Sequence, residues 1–527
     1  MRFLIVAVAI FSLANFVGAV TPQPELTAVT GDQSRSFLGR GRGVLIGILD
    51  GGIDATHPAL IGSIVAARDF SGSGTTDDDP KGPGHATGIA GLYVAHASGY
   101  TGLVPKAGVI NARVITSRDS TSDLMAGNGL FYSANLGARI INMSFGNDLG
   151  EGPLTDRFNL MTDYVSEQYG ASIVAAAGND DVSAVQQTPG GGYNTYSIGS
   201  VAPRKYNQVS SFSNFALKSD ARTKPELVAP GDSVQLANAN WERGTLYSPG
   251  DGTSFSAPIV GGVLAQMVGY GQDFHLSTDP RVLRAIVMTS ADKVLDFDGS
   301  AWAPRHQFTN SKGRLVIDQP LDAEQGAGRV DAMAAYHVYT KTKDTNTKLT
   351  NWVFTSLKRE QAFTMNLGQL SAGQHLDTTV TWDRHVGVTD KNANGVVDAN
   401  DKFYEAVPLA DFVLELLRNG KIIAISDSAV DNYENLSLNI KTTANYSLEV
   451  YRYDFGGNKN ESFAMAARVL ANGVSASFSQ TDAGAVAASE GSSGVMRRVG
   501  GSEVPEPAGI SLLVVLLAGW CGRRGCR

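Results

Sequence analysis

The strongest constraint on the fold is a strand-length run with no polar residue, Val44-Leu45-Ile46-Gly47-Ile48-Leu49, which ends on Asp50. Comparable stretches return at residues 138–143 and 171–177. A strand with water on one face alternates apolar and polar side chains, whereas a strand covered on both faces need not. Such runs point to a parallel sheet with helices on both sides. Between the first two runs, residues 122–136 read as a helix, with Leu124, Leu130 and Phe131 able to share one face. Strands alternating with helices predict a doubly wound α/β domain, whose functional groups gather at the carboxyl ends of the strands.

This domain is expected over residues 41–339, after a polar segment at 20–40 that lacks clear periodicity. Gly326-Ala327-Gly328-Arg329-Val330-Asp331 opens its last short helix, and a polar stretch follows at 340–350. From residue 351 the texture changes to short apolar runs at 380–382, 412–417, 421–425, 436–440 and 446–451. Asn419-Gly420 between two of them is a hairpin signal. Strands without helices predict a smaller all-β sandwich over 351–471, followed by a Ser-, Gly- and Ala-rich linker at 472–503.

Hydrophobic residues make up 43% and charged residues 18%, enough for a sizeable core. The net charge of -8 and the lack of any long Lys/Arg cluster exclude nucleic acid as the main partner. The two cysteines, Cys521 and Cys526, stand in the last seven residues, so the folded body is expected to use neither disulfide nor thiol chemistry. Met1-Arg2, an apolar run from Phe3 to Phe16 and the small residues Gly18-Ala19 have the order of a secretory signal peptide at 1–19. At the other end come Val504-Pro505-Glu506-Pro507, an apolar run at 510–520, then Arg523 and Arg524. That run is short of the roughly 20 residues that span a bilayer. Residues 504–527 resemble the PEP-CTERM sorting signal, which implies an exosortase-type partner that cuts near Pro505. The membrane would then be met only transiently, through this tail, and the chain would be exported to the cell surface or released.

Four polar residues stand where chemistry is possible. Ser254, in Gly252-Thr253-Ser254-Phe255-Ser256-Ala257-Pro258, precedes an apolar helical run, where a nucleophile gains an open turn and a helix N-terminus. Taken alone, Thr and Ser there read equally as helix caps. Asp50 closes the first strand and could orient an imidazole, or simply close a turn. His85, flanked by Gly84 and Gly88, heads a glycine-rich helix, a setting that His57 and His96 lack. Asn179 ends the third apolar run; its amide could donate to an oxyanion, or serve a turn.

Taken together, these segments resemble the subtilases, the subtilisin-like serine peptidases. The order Asp, His, Asn, Ser is theirs, and so are the words Asp50-Gly-Gly-Ile, Gly84-His85-Ala-Thr, Asn142-Met143-Ser144-Phe145-Gly146, Ala177-Gly178-Asn179 and Gly252-Thr253-Ser254. The resemblance implies Ser254 as nucleophile, His85 as general base and then acid, Asp50 as its orienting carboxylate and Asn179 as oxyanion donor. It implies that Ser144, Phe145 and Gly146, with Gly178, line an extended peptide or protein substrate as an open edge strand. Ala86 replaces the family's usual glycine, and Phe255-Ser256 stands where methionine-alanine is common. Only about two dozen residues separate Ala19 from the first strand, fewer than a folding propeptide needs.

One further motif is independent of that family. Asp390, Asn392, Asn394, Asp398 and Asp401 put oxygen ligands at positions 1, 3, 5, 9 and 12 of a loop, with Gly395 at position 6 and the Val396 carbonyl at position 7. The loop resembles EF-hand and dockerin-type sites and predicts a structural calcium ion that tightens a sandwich loop; the alternative is a solvated Asn/Asp-rich turn. For the whole chain the expectation is a serine endopeptidase, set against a surface-binding protein with a degenerate catalytic domain. The complete quartet favours the enzyme.

Overall fold

The computed structural model describes residues 23–77, 84–146, 155–180, 188–203, 206–215, 222–453 and 460–471. The signal peptide, linker and sorting tail expected at 1–19, 472–503 and 504–527 lie outside the described residues. Pro24 in the first turn starts α1 (Pro24–Ala28), and α2 (Gly31–Phe37) follows. Leu26, Val29 and Leu38 of this segment are buried in the main core. Helices of five and seven residues are too short for a 3.6-residue period to show, so the stretch reads as irregular.

The α/β body then runs β1 (Leu45–Asp50), β2 (Ile64–Asp69), α3 (His85–Val94), a small hairpin of β3 (His96–Ala97) and β4 (Tyr100–Thr101), and β5 (Gly108–Arg113). It continues through α4 (Asp123–Asn135), β6 (Ile140–Met143), α5 (Asp156–Tyr169), β7 (Ser172–Ala176), β8 (Thr195–Val201) and β9 (Leu227–Pro230). Seven of these strands form one sheet, in the order β2-β5-β1-β6-β7-β8-β9, with every neighbouring pair parallel. The chain lays β2 and β5 on one side of β1 and builds the other side from β6 onward. The sheet's switch point is therefore at β1, and its crevice opens beyond Asp50. Ser122 caps α4 by accepting from Met125 N. Leu130 and Phe131 face the core as expected, while Leu124 is exposed, because it lies in the first turn, outside the buried stripe.

After the hairpin of β10 (Val234–Ala237) and β11 (Tyr247–Gly250) comes α6 (Thr253–Phe274), buried on nearly every side, and then α7 (Pro280–Thr289). Pro258 sits in the sixth position of α6, further in than a first-turn proline, and removes one helical N–H there.

The rest of the described chain comprises β12 (His306–Thr309), β13 (Leu315–Gln319), α8 (Ala332–Thr340), β14 (Thr347–Leu357), β15 (Ala362–Leu370), β16 (His375–Trp382), β17 (Val386–Thr389) and β18 (Lys402–Glu405). It ends with β19 (Phe412–Arg418), β20 (Lys421–Ser426), β21 (Tyr433–Asn439), β22 (Ala444–Arg452) and β23 (Glu461–Leu470). A six-stranded sheet, β12-β13-β20-β19-β22-β15, and a four-stranded sheet, β14-β23-β16-β21, enclose Trp382, Phe412, Leu414, Phe463 and Met465. Strands β12 and β13, from before residue 339, join the first of these sheets. Asn419 and Gly420 both have positive φ (50° and 74°), which suits the predicted two-residue turn.

The outer face of the four-stranded sheet is not solvated. Ala464, Ala466 and Tyr433 belong to the core of the α/β body, and all eight residues of β16 are buried. Thr381 Oγ1 of β16 donates to the Arg281 carbonyl of α7 at 2.8 Å. The hairpin of β17 and β18 leaves the sandwich altogether and docks on α4 and α5. There Phe403 stacks on Phe131 (5.8 Å between centroids, 24° between planes), and Arg157 donates to the carbonyls of Ala399 and Asp401. Loop 390–401 is thus held against the α/β body. This corrects its expected place within the sandwich: an apolar anchor, Phe403, directs it elsewhere.

Candidate active site

Asp50 is the last residue of β1 and is 3% exposed. Its Oδ1 accepts from Gly51 N at 2.7 Å. His85 is the first residue of α3, entered through Gly84 with φ at +73°. A Cβ on Gly84 would come within 2.8 Å of the Ala239 Cβ, so only glycine admits both the turn and the close approach. His85 Nδ1 lies 3.1 Å from each Asp50 carboxylate oxygen, which fixes Nδ1 as the protonated nitrogen and leaves Nε2 as the basic one. Its ring stays 31% exposed and packs against Phe255 at 5.4 Å. His57, by contrast, is fully buried; its Nε2 meets the Leu246 carbonyl, its Nδ1 accepts from Ala59 N, and burial lowers its pKa.

Ser254 occupies the second position of α6 and is 8% exposed. In an unbroken helix its carbonyl would accept from the N–H four residues on, but that residue is Pro258. Ser144 fills the gap: its Oγ donates to the Ser254 carbonyl at 2.7 Å, and Ser254 Oγ donates back to the Ser144 carbonyl at 3.2 Å. Ser144, Phe145 and Gly146 run on from the end of β6 and are paired to no strand among the described residues.

Asn179 reaches the same helix from the loop after β7. The N-cap residue of α6, Gly252, has no side chain to cap with; Asn179 Oδ1 does so across 74 residues, accepting from Thr253 N at 2.8 Å and Thr253 Oγ1 at 3.0 Å. Committing the oxygen to Thr253 turns the amide's NH2 edge the other way, past Gly252 (φ +146°), where a Cβ would stand 3.4 Å from Nδ2. Gly178, at φ +113°, donates its N–H to Thr253 Oγ1 at 3.0 Å. The structure therefore gathers Asp50, His85, Ser144, Gly178, Asn179 and Ser254 at the carboxyl edge of the sheet. Sequence reasoning missed Thr253 as the clamp on Asn179, and Ser144 as the partner of an orphaned carbonyl. Proline four residues after the serine was the available sign of the second.

In loop 390–401, Asp390 Oδ2 accepts from Gly395 N at 2.8 Å, where Gly395 turns at φ +73°. Asp398 Oδ2 accepts from Asn392 and Asn394 at 3.0 and 2.8 Å, and Asp401 accepts from Lys391 N and Asp398 N. Among the described residues no group of three or more His, Cys, Asp or Glu side chains is placed to hold a metal. These carboxylate oxygens converge on the loop's own N–H and amide groups, with Val396 exposed at the tip.

Over residues 41–328 the chain matches Peptidase_S8, the Subtilase family. Thermitase of Thermoactinomyces vulgaris is 28% identical over 267 residues, which cover 50% of this chain and 87% of that protein. The thermophilic serine proteinase of Bacillus sp. (strain AK1) is 30% identical over 251 residues, 47% of this chain and 56% of the relative. Subtilisin Savinase of Lederbergia lenta is 31% identical over 228 residues, 43% of this chain and 76% of the relative. With the matched segment exceeding half its length, and with a strand order that brings an aspartate, a histidine and a serine to one edge of a parallel sheet, the chain belongs to the subtilase family and is a subtilisin-like serine endopeptidase.

Proposed function

We propose that the enzyme is exported and hydrolyses proteins through an acyl-enzyme, with Ser254 as nucleophile, His85 as general base and then acid, and Asp50 as orienting carboxylate. The observation that carries this is the pairing of His85 Nδ1 with both oxygens of buried Asp50, at the sheet's switch point. Ser254 Oγ leaves the Ser144 carbonyl, gives its proton to His85 Nε2 and bonds to the scissile carbon. The imidazolium is stabilised by Asp50 and returns the proton to the departing amine. Water then repeats the sequence on the ester. Charge on the carbonyl oxygen is met by Asn179 Nδ2 and the Ser254 N–H at the positive end of α6. Residues 144–146 and Gly178 take the substrate as an added strand.

Within that proposal residues 41–339 carry the catalytic site and lend β12 and β13 to a sandwich otherwise drawn from 351–471. The signal-peptide pattern supports export, and the Pro-Glu-Pro tail supports processing by an exosortase-type enzyme. Calcium is proposed for loop 390–401, held by Asp390, Asn392, Asn394, Asp398, Asp401 and the Val396 carbonyl. The donors suit a hard cation, and Gly395 turns where such a loop must. Its role would be structural, through the hairpin that docks on α4 and α5. The deciding experiment incubates the protein and its Ser254→Ala variant with an unfolded fluorogenic protein substrate. Fragment release by the first alone is expected; equal release by both would refute the assignment.

A further inference from the structure

Ser144 receives a hydrogen bond as well as giving one. Asn142 Nδ2, two residues earlier on β6, donates to Ser144 Oγ at 2.9 Å. Asn142 Oδ1 in turn accepts from the Tyr93 hydroxyl of α3 at 3.1 Å. A path of three donors therefore runs in one direction, from Tyr93 to Asn142, to Ser144, to the Ser254 carbonyl that Pro258 leaves without a helical partner. It crosses from α3, which carries His85, through β6 and the segment 144–146 that follows it, to α6, which carries Ser254.

Each link fixes the next. An amide can present oxygen or nitrogen at either end, and a buried amide takes the orientation its partners dictate. Ser144 Oγ already spends its proton on Ser254, so toward Asn142 it can only accept. That requires Asn142 to face Ser144 with NH2 and to offer its oxygen to the other side. The Tyr93 hydroxyl is there to donate, and burial keeps it protonated by raising its pKa well above the ordinary value. Tyr93 is fully buried and its hydroxyl end rests on α6 at Gly261, where a Cβ would come within 2.0 Å of the oxygen. A tyrosine in an apolar helix is thus seated by a glycine in the nucleophile's helix.

We propose, resting on the assignment of Ser254 as nucleophile, that Tyr93 is a positioning residue that sets the nucleophile through Asn142 and Ser144. Without its hydroxyl, the buried Asn142 Oδ1 loses its donor and only Ser144 still orients the amide, so Asn142 and Ser144 are held less firmly and the Ser254 carbonyl keeps its partner for less of the time. Ser254 then spends less time where its Oγ can approach a substrate carbonyl. Binding along residues 144–146 uses backbone groups and is unaffected.

The test measures kcat and KM of the full chain and of Tyr93→Phe on a peptide anilide, well below the melting temperature. Phosphonylation of Ser254 by a serine-directed phosphonate is followed in parallel. Expected is a fall of roughly 3- to 10-fold in kcat and in the phosphonylation rate, with KM within about twofold, the scale of one lost hydrogen bond. In a Ser144→Ala background, Tyr93→Phe should change kcat by less than about twofold, because the path is already cut. Unchanged kcat alongside a lowered melting temperature would overturn the proposal, as would full additivity of the two substitutions. Should Tyr93→Phe not fold, Asn142→Asp decides, since it keeps the acceptor for Tyr93 and removes the donor to Ser144. Hydrolysis that survives Ser254→Ala would instead sink the underlying assignment and is read separately.

Discussion

On the proposed mechanism Asn179 has two tasks, an observed cap at its amide oxygen and an oxyanion contact at its NH2, and Asn179→Asp separates them. Aspartate is nearly isosteric and keeps an oxygen to accept from Thr253 N and Thr253 Oγ1, so the cap on α6 survives. A carboxylate at a helix N-terminus also gains from the macrodipole. The other end changes from NH2 to oxygen, and a donor to the developing oxyanion becomes a like charge. Removing the corresponding donor in subtilisin costs about 10²–10³ in turnover, or about 2.7–4 kcal/mol, and repulsion should place Asn179→Asp at or beyond the upper end. Asn179→Ala loses both functions: the same order in kcat and, in addition, a cap worth about 0.5–2 kcal/mol of stability. The assay is kcat and KM on a peptide anilide, with melting temperatures of all three proteins. Expected are a collapsed kcat in both variants, KM little changed, and a lowered melting temperature only in Asn179→Ala. A near-normal kcat for Asn179→Asp would refute the oxyanion role. Equal melting losses in both variants would refute the cap.

Three other outcomes concern charged groups away from the crevice. His385 bridges Glu167 of α5 at 2.6 Å and Glu461 of β23 at 2.9 Å, and these hydrogen bonds, Glu167 first, push its pKa up to about 10. The folded value exceeds the unfolded 6.5, so this stabilisation is complete below about pH 6.5 and is lost as pH rises through 10. Urea midpoints of the protein and His385→Gln should differ at pH 6 and converge above pH 10. Glu226, fully buried, accepts from Lys224 Nζ, Arg284 Nη2 and Ser197 N. Glu226→Gln strands two buried cations and should cost about 3–5 kcal/mol in urea unfolding, a loss that a surface substitution such as Glu360→Gln does not reproduce. Asp390→Ala should abolish any rise in melting temperature on adding calcium while leaving kcat at 25 °C within about twofold, because loop 390–401 meets α4 and α5 and not the crevice.

The parallel sheet was legible because an uninterrupted apolar strand has few other places to go, whereas β5, which pairs with β1, was not read. Asp50 and His85 could be found because strand ends and glycine-flanked helix starts mark themselves in one dimension. The cap that Asn179 lends α6 could not, because its partners are 74 residues apart and the glycine at the cap position gives no hint of a donor from elsewhere. Of strand β16 only residues 380–382 were read, for another reason. His375, Asp377, Thr379 and Thr381 alternate with Leu376, Val380 and Trp382 and look like a solvated face, yet all are buried. They are tolerated because each polar group is met: Asp377 by Arg468 at 3.1 Å and by His375 at 3.1 Å, and Thr381 by the Arg281 carbonyl. Alternation reports polarity, and polarity can be answered by protein as well as by water.

The order of strands in the four-stranded sheet also sets an order in time. β23 is the last strand described, yet it lies between β14 and β16, and its Ala464 and Ala466 complete the packing over α7. A chain emerges from ribosome or export channel beginning at its N-terminus, and long-range pairings must wait for both partners. The α/β body is therefore made first and finished last. Until residues 461–470 arrive, its α7 flank is open to water, and a chain ending before them lacks the middle of a wall rather than an ornament on the outside of it.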